Sequence, residues 1–240
     1  MHRMLALTAV LALVPSAGAG ARADDSDYRS EIDHLVYATP DLDLGVRSIE
    51  RLLGVRATPG GQHPGFGTRN ALVALGPSIY LEIIGPDPDQ PKPVGPRRFR
   101  IDELKAPQVV AWVAKGTGLE QLMTRARRDG VALGDVIAGR RKRPDGVTLS
   151  WTYTDPNVVI EDRLIPYFID WGTSPHPALT AAPGATLVSF RAEHPDAARV
   201  QKMLRDVGLH LPVTTGPNPT LIATIDSPKG RVELRRPNRF

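Results

Sequence analysis

The 240-residue sequence predicts an α+β fold made of repeated βαβββ modules that form a barrel-like groove. Two modules are predicted, and the same criteria identify a third. Strand-like and helix-like runs recur in the order β-α-β-β-β with a period of roughly 70 to 80 residues. Each of the three helical runs closes at a glycine, Gly54, Gly130 or Gly208, the residue that accepts the left-handed conformation after a helix. A single irregular α+β domain is the alternative interpretation.

The elements fall into three stretches of the chain. The first module, 31–86, has a strand-like run at 32–38, a helical run at 41–53 and strand-like runs at 71–75 and 79–84. The proline-rich stretch 87–93 predicts a linker, since proline neither continues a helix nor donates to a sheet. The second module, 108–172, repeats the pattern with a helix at 119–126, and 185–236 predicts a third, smaller module with a helix at 195–207.

The N-terminus predicts a secretory signal peptide over residues 1–23. A basic head at Arg3, an apolar run at 4–14 and an Ala21-Arg22-Ala23 cleavage site support this, with a membrane anchor or an ordinary helix as alternatives. We therefore expect an exported protein, periplasmic or secreted, with no membrane association after cleavage. The sequence has no cysteine, which excludes thiolate chemistry and disulfides. Removal of Arg3 and Arg22 would lower the net charge from +4 to +2, so a nucleic-acid partner is not predicted.

Two polar residues stand inside apolar strands of the first module. His34 lies in the first predicted strand and Glu82 in the last, and burying either without a partner is costly. Together they could hold a divalent metal. A hydrogen-bonded core histidine, and a glutamate paired with a buried arginine, are the structural alternatives.

Several stretches resemble the glyoxalase-like domain family of the vicinal oxygen chelate superfamily: residues 33–43, 60–70, 80–86, 143–146 and 169–172. The resemblance implies that His34 and Glu82 hold Zn, Mn, Fe, Ni or Co in a groove that binds a small molecule, with Glu82 also serving as general base. It implies a lyase, isomerase or dioxygenase acting on an oxygen-rich molecule. The alternative is a metal-free protein that sequesters a small molecule on the same fold.

The second half of the family's ligand set is not present in the second module. Val110 and Ile169 occupy the positions where a further histidine and glutamate are expected. In the third module Glu233 aligns with Glu82, which makes Glu233 the candidate third ligand, while Ser189 stands where His34 would be. This departure favours the metal-free alternative, whereas the presence of both His34 and Glu82 favours the enzyme.

Further candidates for contacting the substrate follow from local sequence. The glycine-rich loop 60–70 carries polar side chains, and Arg141 and Arg143 alternate onto one face of the basic run 140–143, where they could clamp a carboxylate. A plain connection between strands and a solvated surface are the respective alternatives. A homodimer that pairs modules across chains is the alternative to pairing within one chain. The complete set of predicted substrate-binding residues is His63, Thr68, Asn70, Arg141, Arg143, Trp151 and Asp170.

Overall fold

The computed structural model describes residues 28–236, so the predicted signal peptide at 1–23 lies outside the described residues and stays a prediction. The described part confirms the α+β class. Its helices are α1 (Leu42–Leu53), α2 (Leu119–Arg128) and α3 (Ala197–Asp206). None of the helices in this range is long and apolar enough to span a bilayer. The strands are β1 (Ile32–Ala38), β2 (Thr58–His63), β3 (Thr68–Gly76), β4 (Ile79–Pro86), β5 (Gln108–Lys115), β6 (Val136–Lys142), β7 (Thr148–Thr154), β8 (Tyr167–Asp170), β9 (Thr186–His194), β10 (Val213–Thr215), β11 (Thr220–Ser227) and β12 (Gly230–Arg235).

The first two modules share one eight-stranded sheet in the order β2-β3-β4-β1-β5-β8-β7-β6. In each module the first strand pairs in parallel with the last, and the modules join through antiparallel pairing of β1 with β5. The edge strands β2 and β6 contact each other, and the buried Arg141 on β6 donates to the backbone oxygen of Gly60 on β2. The sheet is therefore a nearly closed barrel formed within one chain.

Helix α1 is bounded by its capping residues and oriented by one apolar stripe. In α1 the Asp41 carboxylate accepts from the Leu44 backbone N–H, and Gly54 ends the helix with a φ of 71°. Ile49 and Leu53 are fully buried on the inner side of this helix. The apolar stripe fixes the helix against the outer face of the barrel, which leaves the inner face free to carry the polar side chains described below.

The third module forms a separate four-stranded sheet in the order β10-β9-β11-β12. Its elements follow in the order β-α-β-β-β, but its first strand lies between the second and third instead of beside the fourth. This sheet packs on the barrel, with the Phe190 ring 5.6 Å from that of Trp112. Its last strand is an edge strand, so the alignment of Glu233 with Glu82 does not bring the two side chains together.

The glycine-rich segment 60–70 is mostly strand, not loop. β2 extends to His63 and β3 begins at Thr68, which leaves only a short turn between them. The alternation of apolar and polar residues that marks a strand is missing here because β2 is an edge strand with a bulge between Pro59 and Gly61.

Candidate functional site

A narrow polar cavity lies inside the barrel between the two modules, with a free volume of about 40 Å³. That space accommodates a few water molecules or a compact polar group. Side chains point into it at every second position of the strands, such as Tyr80, Glu82 and Ile84 of β4. The complete lining is His34, His63, Phe66, Thr68, Asn70, Tyr80, Glu82, Ile84, Arg98, Phe99, Arg141, Trp151, Tyr153, Tyr167, Ile169 and Trp171.

Glu82 is the carboxylate of this cavity, and it is buried. The register of the parallel pair sets His34 opposite Tyr80 and Val36 opposite Glu82, so His34 and Glu82 lie diagonally on one face. Glu82 Oε1 accepts a 2.6 Å hydrogen bond from Asn70 Nδ2. Its Oε2 lies 3.8 Å from His34 Nε2, and its Oε1 lies 3.6 Å from His63 Nε2. Two imidazoles thus flank one carboxylate at separations longer than a hydrogen bond.

His63 is held as a neutral imidazole. Burial lowers its pKa to about 4, against the opposing attraction of the Glu82 carboxylate. Asn70 Nδ2 lies 3.3 Å from His63 Nε2, and Thr68 Oγ1 lies 3.0 Å from Nδ1. An amide N–H can only donate, so the proton of His63 resides on Nδ1 and the Nε2 lone pair faces Asn70.

His34 is oriented from behind by its neighbour in sequence. Asp33 Oδ1 lies 2.7 Å from His34 Nδ1, while Asp33 Oδ2 accepts from Trp171 Nε1 at 3.0 Å and His176 Nε2 at 3.1 Å. Burial alone would raise the pKa of Asp33, but the hydrogen bonds from His176 and His34 outweigh it and lower the pKa to about 2. Asp33 is therefore a fixed anion, the His34 proton lies on Nδ1, and Nε2 is turned toward Glu82.

A β-bulge lets two consecutive residues of β1 serve the same network. The pairing of β1 with β5 shifts register between Ile32 and His34. In a regular strand Asp33 and His34 would point to opposite faces, and a bulge re-aims side chains at such a point. The alternation rule that predicts His34 in the groove therefore misses Asp33.

Aromatic rings fill the remainder of the cavity wall. Tyr80 stacks on the His34 imidazole with ring centroids 4.5 Å apart and planes inclined by 19°. Burial raises the pKa of Tyr80 and of Tyr167 well above the ordinary value, and Glu82 contributes in the same direction. Both phenols remain neutral and keep their O–H groups as hydrogen-bond donors.

The donor set does not complete a metal centre. The structure brings His34 and Glu82 together, and His63 adds a second imidazole. Within residues 28–236, however, no group of three or more His, Cys, Asp or Glu side chains is arranged to hold a metal ion. Structural and catalytic metal sites need at least three protein ligands in most cases. We therefore assign no reaction step to a metal.

The structure separates the predicted site residues into two sets. His34, Glu82, His63, Thr68, Asn70, Arg141 and Trp151 line the cavity. Arg143, Asp170 and Glu233 do not.

The three residues outside the cavity have partners of their own. Arg143 pairs with Asp145 at the β6–β7 turn. Asp170 caps the Gly172 N–H in a larger outer cleft of about 610 Å³, which shares Trp151 and Trp171 with the cavity. Glu233 lies in the other sheet, 3.7 Å from Arg235 and 3.9 Å from Arg191, because β12 belongs to a sheet with a different strand order.

Arg98 is the main cavity residue that sequence reasoning missed. It follows the proline-rich stretch and enters a 3₁₀ turn in which Phe99 and Arg100 adopt φ of 59° and 53°. Left-handed conformations at residues other than glycine have no reliable sequence signature. For the tyrosines the signal was available, since Tyr80 and Tyr167 each occur at the alternating inward positions of a strand.

Comparison with known proteins places the chain in a family. The sequence profile described as "Glyoxalase-like domain" matches residues 32–208, which span the barrel and the start of the third module. No curated protein matches the sequence significantly.

Solved structures are similar to this chain at low sequence identity. A hypothetical protein from Staphylococcus aureus is 13% identical, with a TM-score of 0.58 over 85% of this chain and 84% of that one. Methylmalonyl-CoA epimerase from Mycobacterium tuberculosis is 18% identical, with a TM-score of 0.37 over 58% of this chain and 85% of that one. A mutant 4-hydroxymandelate synthase from Streptomyces coelicolor is 14% identical, with a TM-score of 0.43 over 87% and 63% of the two chains.

The first of these structures shows the fold, and the TM-scores of the two enzymes are too low to carry an argument about activity. The profile match covers most of the chain, and the paired modules agree with it. The chain belongs to the glyoxalase-like domain family.

Proposed function

We propose that this protein is an enzyme that transfers a proton on a small, oxygen-rich molecule, as an isomerase or a lyase, with Glu82 as the general base. The observation that supports the proposal most is the Glu82 carboxylate itself. It is buried and faces the cavity, and Asn70 is the one residue in the described range that hydrogen-bonds it. A buried carboxylate without a cationic partner in contact is costly to a fold and useful to catalysis.

The step assigned to Glu82 is abstraction of a proton from a carbon next to a carbonyl group. The C–H bond breaks, the proton passes to Glu82 Oε2, and the electron pair moves to the carbonyl oxygen to give an enolate. Return of the proton to the same or the adjacent carbon makes the reaction an isomerisation, whereas loss of a leaving group from the adjacent carbon makes it an elimination. The guanidinium groups of Arg98 and Arg141 in the same lining supply positive charge for the enolate.

His34 is suited to act as the second proton-transfer group. Its Nε2 lies 3.8 Å from Glu82 Oε2, so the two groups lie side by side and both face a substrate bound in the cavity. Asp33 holds the ring in the tautomer that leaves Nε2 unprotonated in the neutral form. The outer cleft gives a ligand room to extend beyond Trp151 and Trp171 while its reacting end enters the cavity.

Two other functions use the same residues. A divalent metal, Zn, Mn, Fe, Ni or Co, held at His34 and Glu82 would need water or substrate for its remaining ligands, because the side chains of residues 28–236 do not complete the set. With those ligands the protein would be a metal-dependent lyase, isomerase or dioxygenase, and the 3.8 Å between His34 Nε2 and Glu82 Oε2 leaves space for an ion. A metal-free sequestration protein would use the aromatic wall, where the Trp151 and Trp171 rings lie 5.1 Å apart, to stack a ligand without turnover. Export through the segment at 1–23 remains part of the proposal.

Deuterium exchange tests the proton-transfer proposal without knowledge of the natural substrate. The protein is incubated in D₂O with 2-oxobutanoate, 2-hydroxybutanoate or hydroxyacetone, and NMR follows exchange at the carbon next to the carbonyl. We expect exchange by the wild type, a rate at least about 100-fold lower in Glu82→Gln, and an unchanged rate in the exposed-helix control Glu120→Gln. Equal rates in wild type and Glu82→Gln, or binding of these probes without exchange, would contradict the proposal, and the latter would favour sequestration.

Metal analysis of the same preparations distinguishes the metal-dependent function from proton transfer without a metal. Plasma mass spectrometry after incubation with Zn, Mn, Fe, Ni or Co is applied to wild type, His34→Ala and Glu82→Ala. Metal near one equivalent in wild type, lost in both variants, would establish the metal centre. If the wild type holds no metal after reconstitution, the metal-dependent version is wrong and Glu82 acts as general base without a metal.

A further inference from the structure

We propose that Arg98 and Arg141 form a subsite for a carboxylate group of the ligand, so that the molecule this cavity takes is a small organic monoanion. The proposal deepens the proposed function by naming the class of substrate. It rests on the cavity being the ligand site, but not on Glu82 acting as a base.

Arg141 is a charged side chain inside the barrel. It is 2% exposed, and its described hydrogen-bond partner is the backbone oxygen of Gly60, which is neutral. Within residues 28–236 no carboxylate lies within ion-pair distance of its guanidinium, although Glu82 is close enough to attract it electrostatically. Burial lowers the pKa of Arg141, but arginine remains protonated at neutral pH. A buried charge without a counter-ion is strongly unfavourable.

Arg98 brings a second guanidinium to the same wall. Its Cζ lies 3.8 Å from the centre of the Phe66 ring and 5.0 Å from that of Tyr153, and one Nη donates to the Tyr153 hydroxyl. Its Nε is buried and has no hydrogen-bond partner in the described structure. The rings stabilise the cation in part, but they leave N–H donor capacity unused.

The charges that line the cavity do not balance. Glu82 contributes one negative charge, while Arg98 and Arg141 contribute two positive charges. His63 is neutral because of its lowered pKa, and His34 adds no negative charge in either protonation state. Asp33 lies behind His34, outside the lining, with three donors of its own and with Lys115 near enough to interact with it. The side chains that line the cavity thus carry one more positive than negative charge, and one bound monoanion would offset that excess.

The surroundings favour a carboxylate over larger anions. Guanidinium groups bind planar carboxylates through paired N–H donors. The free volume of about 40 Å³ and the single excess charge suit a compact monoanion better than a dianionic phosphate. Phe66, Trp151 and Tyr153 beside the guanidiniums supply an apolar surface for the carbon skeleton of the ligand.

A titration by isothermal calorimetry tests the subsite at neutral pH and low salt. The probes are 2-oxobutanoate, its neutral amide 2-oxobutanamide, and inorganic phosphate. We expect the carboxylate to bind at least about 10-fold more tightly than the amide and than phosphate. Arg98→Met and Arg141→Met should each weaken carboxylate binding at least about 10-fold, whereas Arg143→Met, a change just after the same strand and outside the cavity, should leave it unchanged.

The outcomes distinguish this proposal from the proposed function. Equal binding of carboxylate and amide, tighter binding of phosphate, unchanged binding in both arginine variants, or no carboxylate binding at about 10 mM would overturn the subsite. Glu82→Gln should still bind 2-oxobutanoate at least as tightly as wild type, because it removes a negative charge, even though it loses deuterium exchange. Arg141→Met also removes the hydrogen bond to the Gly60 backbone. If that loss prevents this variant from folding, the binding result for Arg98→Met decides the test.

Discussion

At the scale of single residues, Asp33 determines what His34 presents to the cavity. Its carboxylate accepts from His34, Trp171 and His176. The proton on His176 is itself placed, because His176 Nδ1 accepts from the Ala178 backbone N–H and leaves Nε2 to donate to Asp33. The network therefore has one consistent arrangement of protons, with the anion at its centre.

This arrangement makes part of the stability depend on the ionisation of Asp33. The folded state holds the pKa of Asp33 at about 2, below its ordinary value of 3.8, so its contribution is complete above about pH 4 and disappears as the pH falls through 2. We expect Asp33→Asn to lower the free energy of unfolding by roughly 2 kcal/mol or more at neutral pH, with the difference from wild type shrinking between pH 4 and 2.

Urea denaturation across this pH range measures the effect. The exposed Asp135, changed to Asn, serves as control and should shift the free energy by less than about 0.5 kcal/mol at every pH. A difference between wild type and Asp33→Asn that stays constant from pH 4 to 2 would contradict the assigned role of the anion.

The part of the site that could be predicted from sequence follows from one rule. A polar residue within an apolar strand is informative, and that rule finds His34 and Glu82. It fails at Asp33, because the bulge that turns its side chain is a property of the pairing with β5 and not of the local sequence. It fails at Arg98 for a similar reason, since the turn that aims this side chain depends on left-handed residues in a segment without periodicity.

At the scale of the elements, the approach of β2 to β6 decides whether the cavity is enclosed. Gly61 has a φ of 137° at the bulge of β2, and a methyl group there would overlap the carbonyl oxygen of Lys142 on β6. Both the conformation and the contact require glycine. The same residue explains why β2 lacks the sequence pattern of a strand, since closing the barrel requires small residues where the edges meet.

Gly61→Ala should therefore separate β2 from β6 and open the barrel where these two strands meet. We expect a loss of about 3 kcal/mol or more in the free energy of unfolding, from the backbone conformation and the overlap together. Gly65 in the adjoining turn is the matched control, because it also has a positive φ, 80°, but has no atom within 4 Å of the added methyl group. Gly65→Ala should cost about 1 kcal/mol. Equal losses of unfolding free energy in the two variants would show that β2 and β6 are not closely packed at Gly61.

At the scale of the whole molecule, the repeat of element types was predictable from the sequence, but the strand order of the third module was not. Periodicity identifies strands and helices because it reflects which face is buried. Strand order depends on which edges are free when the sheet assembles. In the third unit, α3 connects β9 to β10 as a parallel neighbour, and β11 then takes the other side of β9. Nothing in the sequence of β12 distinguishes a last strand beside the first strand of its module from a last strand at the sheet edge. For that reason Glu233 aligns with Glu82 in sequence although the two lie in different sheets.

The barrel as a whole carries a cluster of charged and polar groups in the position where an ordinary domain would place an apolar core. Such a cluster is explained either by a network that stabilises the fold or by a site that the fold maintains at a cost in stability. Glu82 and Arg98 decide between these explanations, because neither has an ion-pair partner among the lysine, arginine, aspartate and glutamate residues of the described range.

The most direct test is the free energy of unfolding of Glu82→Gln and Arg98→Met, measured by urea denaturation at neutral pH against the wild type. If the cavity is a ligand site, Arg98→Met lowers the excess of positive charge, and Glu82→Gln removes the desolvation cost of a carboxylate without an ion-pair partner. Neither variant should then be less stable than wild type by more than about 1 kcal/mol. If the two charges belong to a structural network, each variant should lose about 3 to 5 kcal/mol, as happens when one member of a buried ion pair is removed. That result would contradict the account of this cavity as a functional site.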